Sequence, residues 1–77
     1  MLLEEILKDS FNMKKEDYLD DKSLIELEDW DSMNHMVFIT RLEEEYKINL
    51  EGDEIISLIT IRDVKNLLEK RGIKDAI

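Results

Sequence analysis

Trp30-Asp31-Ser32-Met33-Asn34-His35-Met36 marks the point where an acid-rich, turn-prone segment gives way to the longest helical pattern of the chain. From Ser32 to Tyr46 the residues Met33, Met36, Ile39, Leu42 and Tyr46 recur at intervals of three or four and read as one apolar stripe, widened by Phe38. Met36 is central on that stripe and reads as core, whereas Val37 falls toward its edge. Asn34, Arg41 and Glu44 are expected to face solvent, and the Glu43-Glu44-Glu45 run reads as an ordinary exposed end. Asp31 and Ser32 are both N-cap residue types, so the stretch taken alone is a helix start. No neighbouring group is arranged to activate Ser32 as a nucleophile. His35, one turn on, reads as a surface residue, and Trp30 reads as an anchor of the loop, because a tryptophan seldom stays fully exposed.

Upstream, residues 2–11 place Leu3, Ile6, Leu7 and Phe11 at helical spacing, with Glu4, Glu5, Lys8 and Asp9 on the other faces and Asn12 as a stop. Residues 12–31 are the least regular part, with a brief helical turn expected around residues 23–27. Between residues 16 and 32 the chain carries Glu16, Asp17, Asp20, Asp21, Glu26, Glu28, Asp29 and Asp31 against Lys22, a net −7. This acid cluster lacks the alternating Asp/Asn-with-glycine pattern of a calcium loop.

Downstream, residues 47–51 form a connector in which Ile48 and Leu50 turn toward the core, and Gly52 punctuates it. Asp53 is expected to cap a short helix over residues 54–58. Thr60 caps the last helix, with Asp63 three residues on in a weak form of the capping box. Ile61, Val64, Leu67 and Leu68 give its buried stripe, and Gly72 suits its end. The tail, residues 73–77, is expected to fray. No strand-length alternation appears. The predicted fold is all-α: three main helices plus one short one in a single domain over residues 1–77, the helix from Ser32 running antiparallel to the first and the last packed across both.

The composition excludes several functions. There is no cysteine for a disulfide, a thiolate metal site or a thiol nucleophile, and with the single histidine His35 a multi-histidine metal site or a Ser-His-Asp triad would need groups from elsewhere. A net charge of −9 opposes nucleic-acid binding and favours partners with basic patches. There is no membrane-span-length apolar run and no signal-like N-terminus. The expectation is a stand-alone, cytoplasmic, monomeric protein without membrane insertion, catalytic residues or metal.

The order and spacing of several short motifs go further. Ser23-Leu24 precedes Asp31-Ser32-Met33; Leu42-Glu43-Glu44-Glu45-Tyr46 closes the second helix and Ile48-Asn49-Leu50 follows; Gly52-Asp53-Glu54 opens the third and Thr60-Ile61-Arg62-Asp63-Val64 the fourth. In this register the chain resembles the acyl carrier proteins of the phosphopantetheine-binding superfamily, from about Leu3 to Gly72. The resemblance implies a covalent 4′-phosphopantetheine on Ser32, installed from coenzyme A by a phosphopantetheinyl transferase using magnesium, with Asp31 serving transferase recognition. Acyl groups would ride as thioesters between enzymes of fatty acid, polyketide or related biosynthesis. The partners implied are acyl-transfer, condensing or ligase enzymes with basic docking patches, meeting Met33, Met36 and Val37 with Arg41 and Glu44 on the rim. Aminoacyl, peptidyl or D-alanyl cargo fits the same residues, and so does an unmodified interaction module of this fold. The chain departs from the usual Leu-Gly-x-Asp-Ser-Leu pattern: Glu28-Asp29-Trp30 stand before Asp31-Ser32, and the neutral Asn34-His35 stand where an acidic residue is usual. Docking charge is thereby expected to shift toward residues 26–31.

Overall fold

Four helices carry the architecture: α1 over Leu3–Phe11, α2 over Ser32–Tyr46, α3 over Gly52–Ser57 and α4 over Ile61–Lys70. The computed structural model describes residues 1–74. Leu3, Ile6, Leu7 and Phe11 of α1 are all buried, as the spacing predicts, and Asn12 ends the helix in the left-handed region at φ 53°. α1 and α2 pack together with Phe11 and Phe38 ring centroids 5.3 Å apart. Their cross-contacts run in opposite order. Tyr46 Oη, at the end of α2, donates to Met1 O (2.7 Å), while Asp29 N, just before α2, donates to Phe11 O (3.2 Å). The two helices are therefore antiparallel. Ile61, Val64, Leu67 and Leu68 of α4 complete the core, and Ile48, Leu50 and Ile55 pack against it from the connector and α3. Among the described residues there is no strand, only an isolated antiparallel bridge between Ser23 and Thr60.

The expected stripe of α2 needs correction. Phe38, Ile39 and Leu42 are buried, but Met33 is 76% exposed and Met36 51%. The cause is helical geometry. At about 100° per residue, an interval of three falls about 60° short of a full turn, so repeated intervals of three wind around the helix instead of following one face. Met33 and Leu42, nine residues apart, point in opposite directions. The face that includes Leu42 holds His35, Phe38, Ile39 and Tyr46; the opposite one holds Met33, Met36 and Val37. His35 and Asn34 are both half-buried, against expectation.

The long segment between α1 and α2 is held by local turns and by α4. Two 3₁₀ turns, Lys15–Asp17 and Leu24–Glu26, interrupt it. The second is the turn expected around residues 23–27, and Glu26 closes it by accepting from Ser23 N (3.1 Å). Leu24 N donates to Ile59 O, and Ile61 N to Lys22 O, stitching the segment to the start of α4. Asp20 accepts from Lys65 and Asp21 from Arg62, each at 2.6 Å. The Lys65 hydrogen bond holds the Asp20 carboxyl below its usual range. Part of the acid cluster is thus spent on α4 rather than offered to a metal or a partner.

The other helix ends follow from their sequences. Glu51, not Asp53, is the N-cap of α3, and the helix starts at Gly52, two residues earlier than the expected residue 54. Glu54 accepts from Glu51 N (3.1 Å), which fixes that earlier start. Thr60 caps α4 reciprocally with Asp63: Asp63 N donates to Thr60 Oγ1 (3.2 Å), and Asp63 Oδ2 accepts from Thr60 N (3.0 Å) and Ile59 N (3.1 Å). These backbone donors hold the Asp63 carboxyl below the usual range. Gly72, at φ +80°, takes the left-handed conformation that lets Gly72 N reach Glu69 O and Ile73 N reach Leu68 O. Ile73 is therefore tied to the core rather than frayed; residues 75–77 of the expected fraying tail lie outside the described residues. Glu43 is also no ordinary exposed residue, since Oε2 accepts from Leu50 N (2.9 Å) and pins the connector.

One polar atom stands out in the core. Ser10 Oγ is buried in α1 without a hydrogen-bond partner among the described residues. An unsatisfied buried hydroxyl is destabilising, and alanine is the better helix former. Ser10→Ala is expected to stabilise the fold by about 1 kcal/mol, read as a higher urea midpoint at unchanged m-value; a lower midpoint would show that the hydroxyl is satisfied in solution.

Candidate functional site

The first four N–H groups of a helix lack intrahelical partners; in α2 the Asp31 carboxylate satisfies one of them, and the Asp31 carbonyl accepts the first regular helical bond. Asp31 Oδ1 accepts from Asn34 N (2.7 Å) and Asp31 O accepts from His35 N (2.9 Å). Asp31 is in extended backbone (φ −152°, ψ 175°) and is the N-cap; Ser32 is the first helical residue. The sequence left the cap open between the two. Its assignment to Asp31 frees the Ser32 hydroxyl, which is exposed, from any capping duty. The N–H groups of Ser32 and Met33 remain at the positive end of the helix dipole, beside that hydroxyl. An anionic phosphodiester on Ser32 Oγ fits this position: it would meet free N–H donors and the helix dipole, while the Asp31 carboxylate is turned to the cap.

The remaining site residues expected from sequence converge on one face. Ser32, Met33, Met36, Val37, Arg41 and Glu44 line a single shallow, solvent-open groove along α2. Val37 is 44% exposed, less than Met33 or Met36, so all three apolar side chains face outward. Arg41 makes an exposed ion pair with Asp9 of α1 at 3.2 Å, which places its guanidinium on the rim. Asp31 stands apart from this groove, behind the helix start. Two groove residues were not anticipated, Thr40 and Glu45. Thr40 lies four residues beyond Met36, on the same side, and Oγ1 donates to Met36 O (3.0 Å). Helical angle alone would have found it.

A second surface adjoins the helix start from the other side. Trp30, His35, Leu24, Ile25, Ile55, Ile56, Leu58 and Ile59 line an apolar cleft of ≈ 330 Å³. Trp30 packs partly against the core, as an anchor should, and Nε1 donates to His35 Nδ1 (3.2 Å). The two rings meet edge-on, centroids 6.0 Å apart. Burial lowers the His35 pKa from its ordinary value, so the imidazole is neutral at pH 7 and carries its proton on Nε2. His35 is thus a partnered, half-buried residue and not the free surface histidine expected. Asn34 Nδ2 also turns back, donating to Asp29 O (2.8 Å). Glu28 and Asp29 are exposed on this approach.

Among the described residues no helix is long and apolar enough to cross a membrane. Comparison with curated proteins gives no match. The family model described as a phosphopantetheine attachment site matches residues 2–68, which takes in all of α1, α2 and α3 and nearly all of α4. The chain belongs to the phosphopantetheine-attachment family, the carrier proteins defined by a covalently bound 4′-phosphopantetheine.

Proposed function

We propose that this chain is an acyl carrier protein that holds its cargo on a phosphopantetheine arm joined to Ser32. The observation that carries this reading is the division of labour at the start of α2, where Asp31 takes the cap and leaves an exposed serine hydroxyl beside free N–H groups. When bound, the arm supplies the thiol that this cysteine-free chain lacks. Ser32 Oγ would be the attachment atom. The N–H groups of Ser32 and Met33, with the helix dipole, would stabilise the phosphodiester charge. Among the described residues neither neighbouring base is aimed at Ser32 Oγ: His35 Nδ1 is occupied by Trp30 on the core-facing side of α2, and Asp31 Oδ1 is engaged by Asn34 N. Deprotonation of the serine therefore falls to the transferase, which fits a substrate role for this chain in its own modification. Asp31, next to the phosphodiester and negatively charged, is assigned to transferase recognition.

Tethering holds an intermediate at high local concentration and lets one carrier visit several enzymes. Met33, Met36 and Val37 are the apolar contacts in this reading. Methionine suits a surface that must accommodate more than one partner. Arg41 and Glu44 form the polar rim. The cargo is assigned as acyl groups of fatty acid, polyketide or related biosynthesis, and the handling enzymes as acyl-transfer, condensing or ligase enzymes that present basic patches.

Incubation with coenzyme A, magnesium and a broad-specificity transferase should add the mass of one phosphopantetheine, and Ser32→Ala should abolish the gain. Absence of any gain with several transferases would sink the attachment at Ser32. The intact mass of the protein isolated from its own cell reads the cargo directly; an aminoacyl adduct there would replace the acyl assignment.

Met36→Glu separates a docking role from a core role. A buried methionine cut back to alanine costs about 2–5 kcal/mol, but exposed positions change stability by no more than about 0.5 kcal/mol. The substitution should leave the thermal midpoint nearly unchanged and weaken transferase kcat/KM about ten-fold, the scale of one apolar interface contact. Unchanged kcat/KM would remove Met36 from the docking surface, and a collapsed midpoint would return it to the core.

A further inference from the structure

The residues flanking Asp31-Ser32 are where the chain departs from the common pattern of its relatives, and in the structure they are bonded to one another. Across the helix start, Asn34 Nδ2 holds Asp29 O (2.8 Å), Asp31 Oδ1 holds Asn34 N (2.7 Å), and Trp30 Nε1 is held by His35 Nδ1 (3.2 Å). The first turn of α2 thus grips the three residues that lead into Ser32. The Trp30–His35 link is the member of this clasp that protonation of its acceptor removes outright, because an imidazolium has no lone pair at Nδ1 to accept with.

We propose that His35 is a positioning residue, which by accepting from Trp30 fixes the loop that presents Ser32 and makes that presentation proton-sensitive. This rests on Ser32 being the attachment site. The surroundings leave His35 little compensation once charged. Leu24 and Ile25 of the 3₁₀ turn, Ile55 and Ile56 of α3, and Leu58 and Ile59 of the following connector line its cleft, and all are apolar. The acidic groups on its own side are Asp31, occupied in the cap, and the exposed Asp29 and Glu28 of the loop. Burial is the cause that lowers the His35 pKa. The folded chain therefore binds this proton less readily than the unfolded one. The neutral, clasped form is fully present above about pH 6.5, and its stability contribution is lost as pH falls from there through the folded-state pKa.

The chain has one tryptophan and one histidine, so a single fluorophore reports on a single titrating ring. Trp30 emission of the full chain should change on acidification with a midpoint below the ordinary histidine value, and the change should vanish in His35→Gln, whose amide oxygen accepts without titrating. Loading by the transferase should fall about five-fold in kcat/KM in His35→Leu, the scale of one lost hydrogen bond, and recover in His35→Gln. The ratio of wild-type to His35→Gln loading, which cancels the pH profile of the transferase, should drop as pH passes through the emission midpoint. Emission that still titrates in His35→Gln, a ratio flat with pH, or wild-type loading of His35→Leu would each overturn the positioning role while leaving Ser32 as the attachment site. A wild-type chain that is not loaded at all overturns the attachment reading and this inference together.

Discussion

The chemistry available at the start of α2 follows from which residue satisfies its first N–H groups. The Asp31 carboxylate reaches Asn34 N at 2.7 Å, and this one bond sets the helix boundary, the extended backbone of Asp31 and the first-turn position of Ser32. Had Ser32 been the cap, its hydroxyl would have been drawn back onto the backbone N–H groups of the first turn and would not stand free. The phase of the helix is held separately, by the burial of Phe38, Ile39 and Leu42, with Phe38 against Phe11. The cap thus decides the exposure of the Ser32 hydroxyl, and the core decides which faces α2 turns inward and outward.

α2 has two apolar faces, and only one of them is needed for folding. Phe38, Ile39 and Leu42 are buried against α1 and the rest of the core, whereas Met33, Met36 and Val37 leave a contiguous apolar strip in solvent. A short chain with a limited core can leave such a strip exposed only at a cost in solubility, which its net charge of −9 offsets. The separation has a consequence for change over time. Residues on the outward strip can be exchanged to suit different enzymes with little disturbance of packing, because they lie outside the buried core.

Much of this was legible beforehand, and the exceptions have physical reasons. The end of α1, the bounds of α2, the Thr60–Asp63 box and the glycine stop at Gly72 were read from local chemistry, because caps and left-handed positions restrict residue type strongly. The outward turn of Met33 and Met36 was missed because repeated intervals of three look like a stripe but wind around the helix. The position of His35 was missed for the same reason: it lies only about 20° from Leu42 around the axis. The start of α3 at Gly52 was missed because Glu51 is a poor cap type, and its role depends on Glu54 returning to its N–H. Nothing in periodicity marks Asn34 and His35 as partners of the loop, since those bonds join side chains across a helix boundary.

The acid cluster is the clearest case of a sequence feature divided by tertiary structure. Read along the chain, residues 16–32 form one negative segment. In the fold, Asp20 and Asp21 bind Lys65 and Arg62 of α4, Asp17 meets Lys22, and Glu26 closes its own turn. Glu28, Asp29 and Asp31 remain at the approach to Ser32. At the far end of α2 the acids are largely answered: Glu45 meets the Met1 ammonium at 3.3 Å, Glu43 accepts from Leu50 N, and Arg41 lines the groove together with Glu44. Opposite charges closer together than the Debye length of about 8 Å largely cancel for a more distant partner at physiological salt. In the proposed docking reading a basic patch is therefore drawn to the loop before Ser32, at one end of the apolar strip. The Trp30–His35 link holds that loop against the first turn of α2.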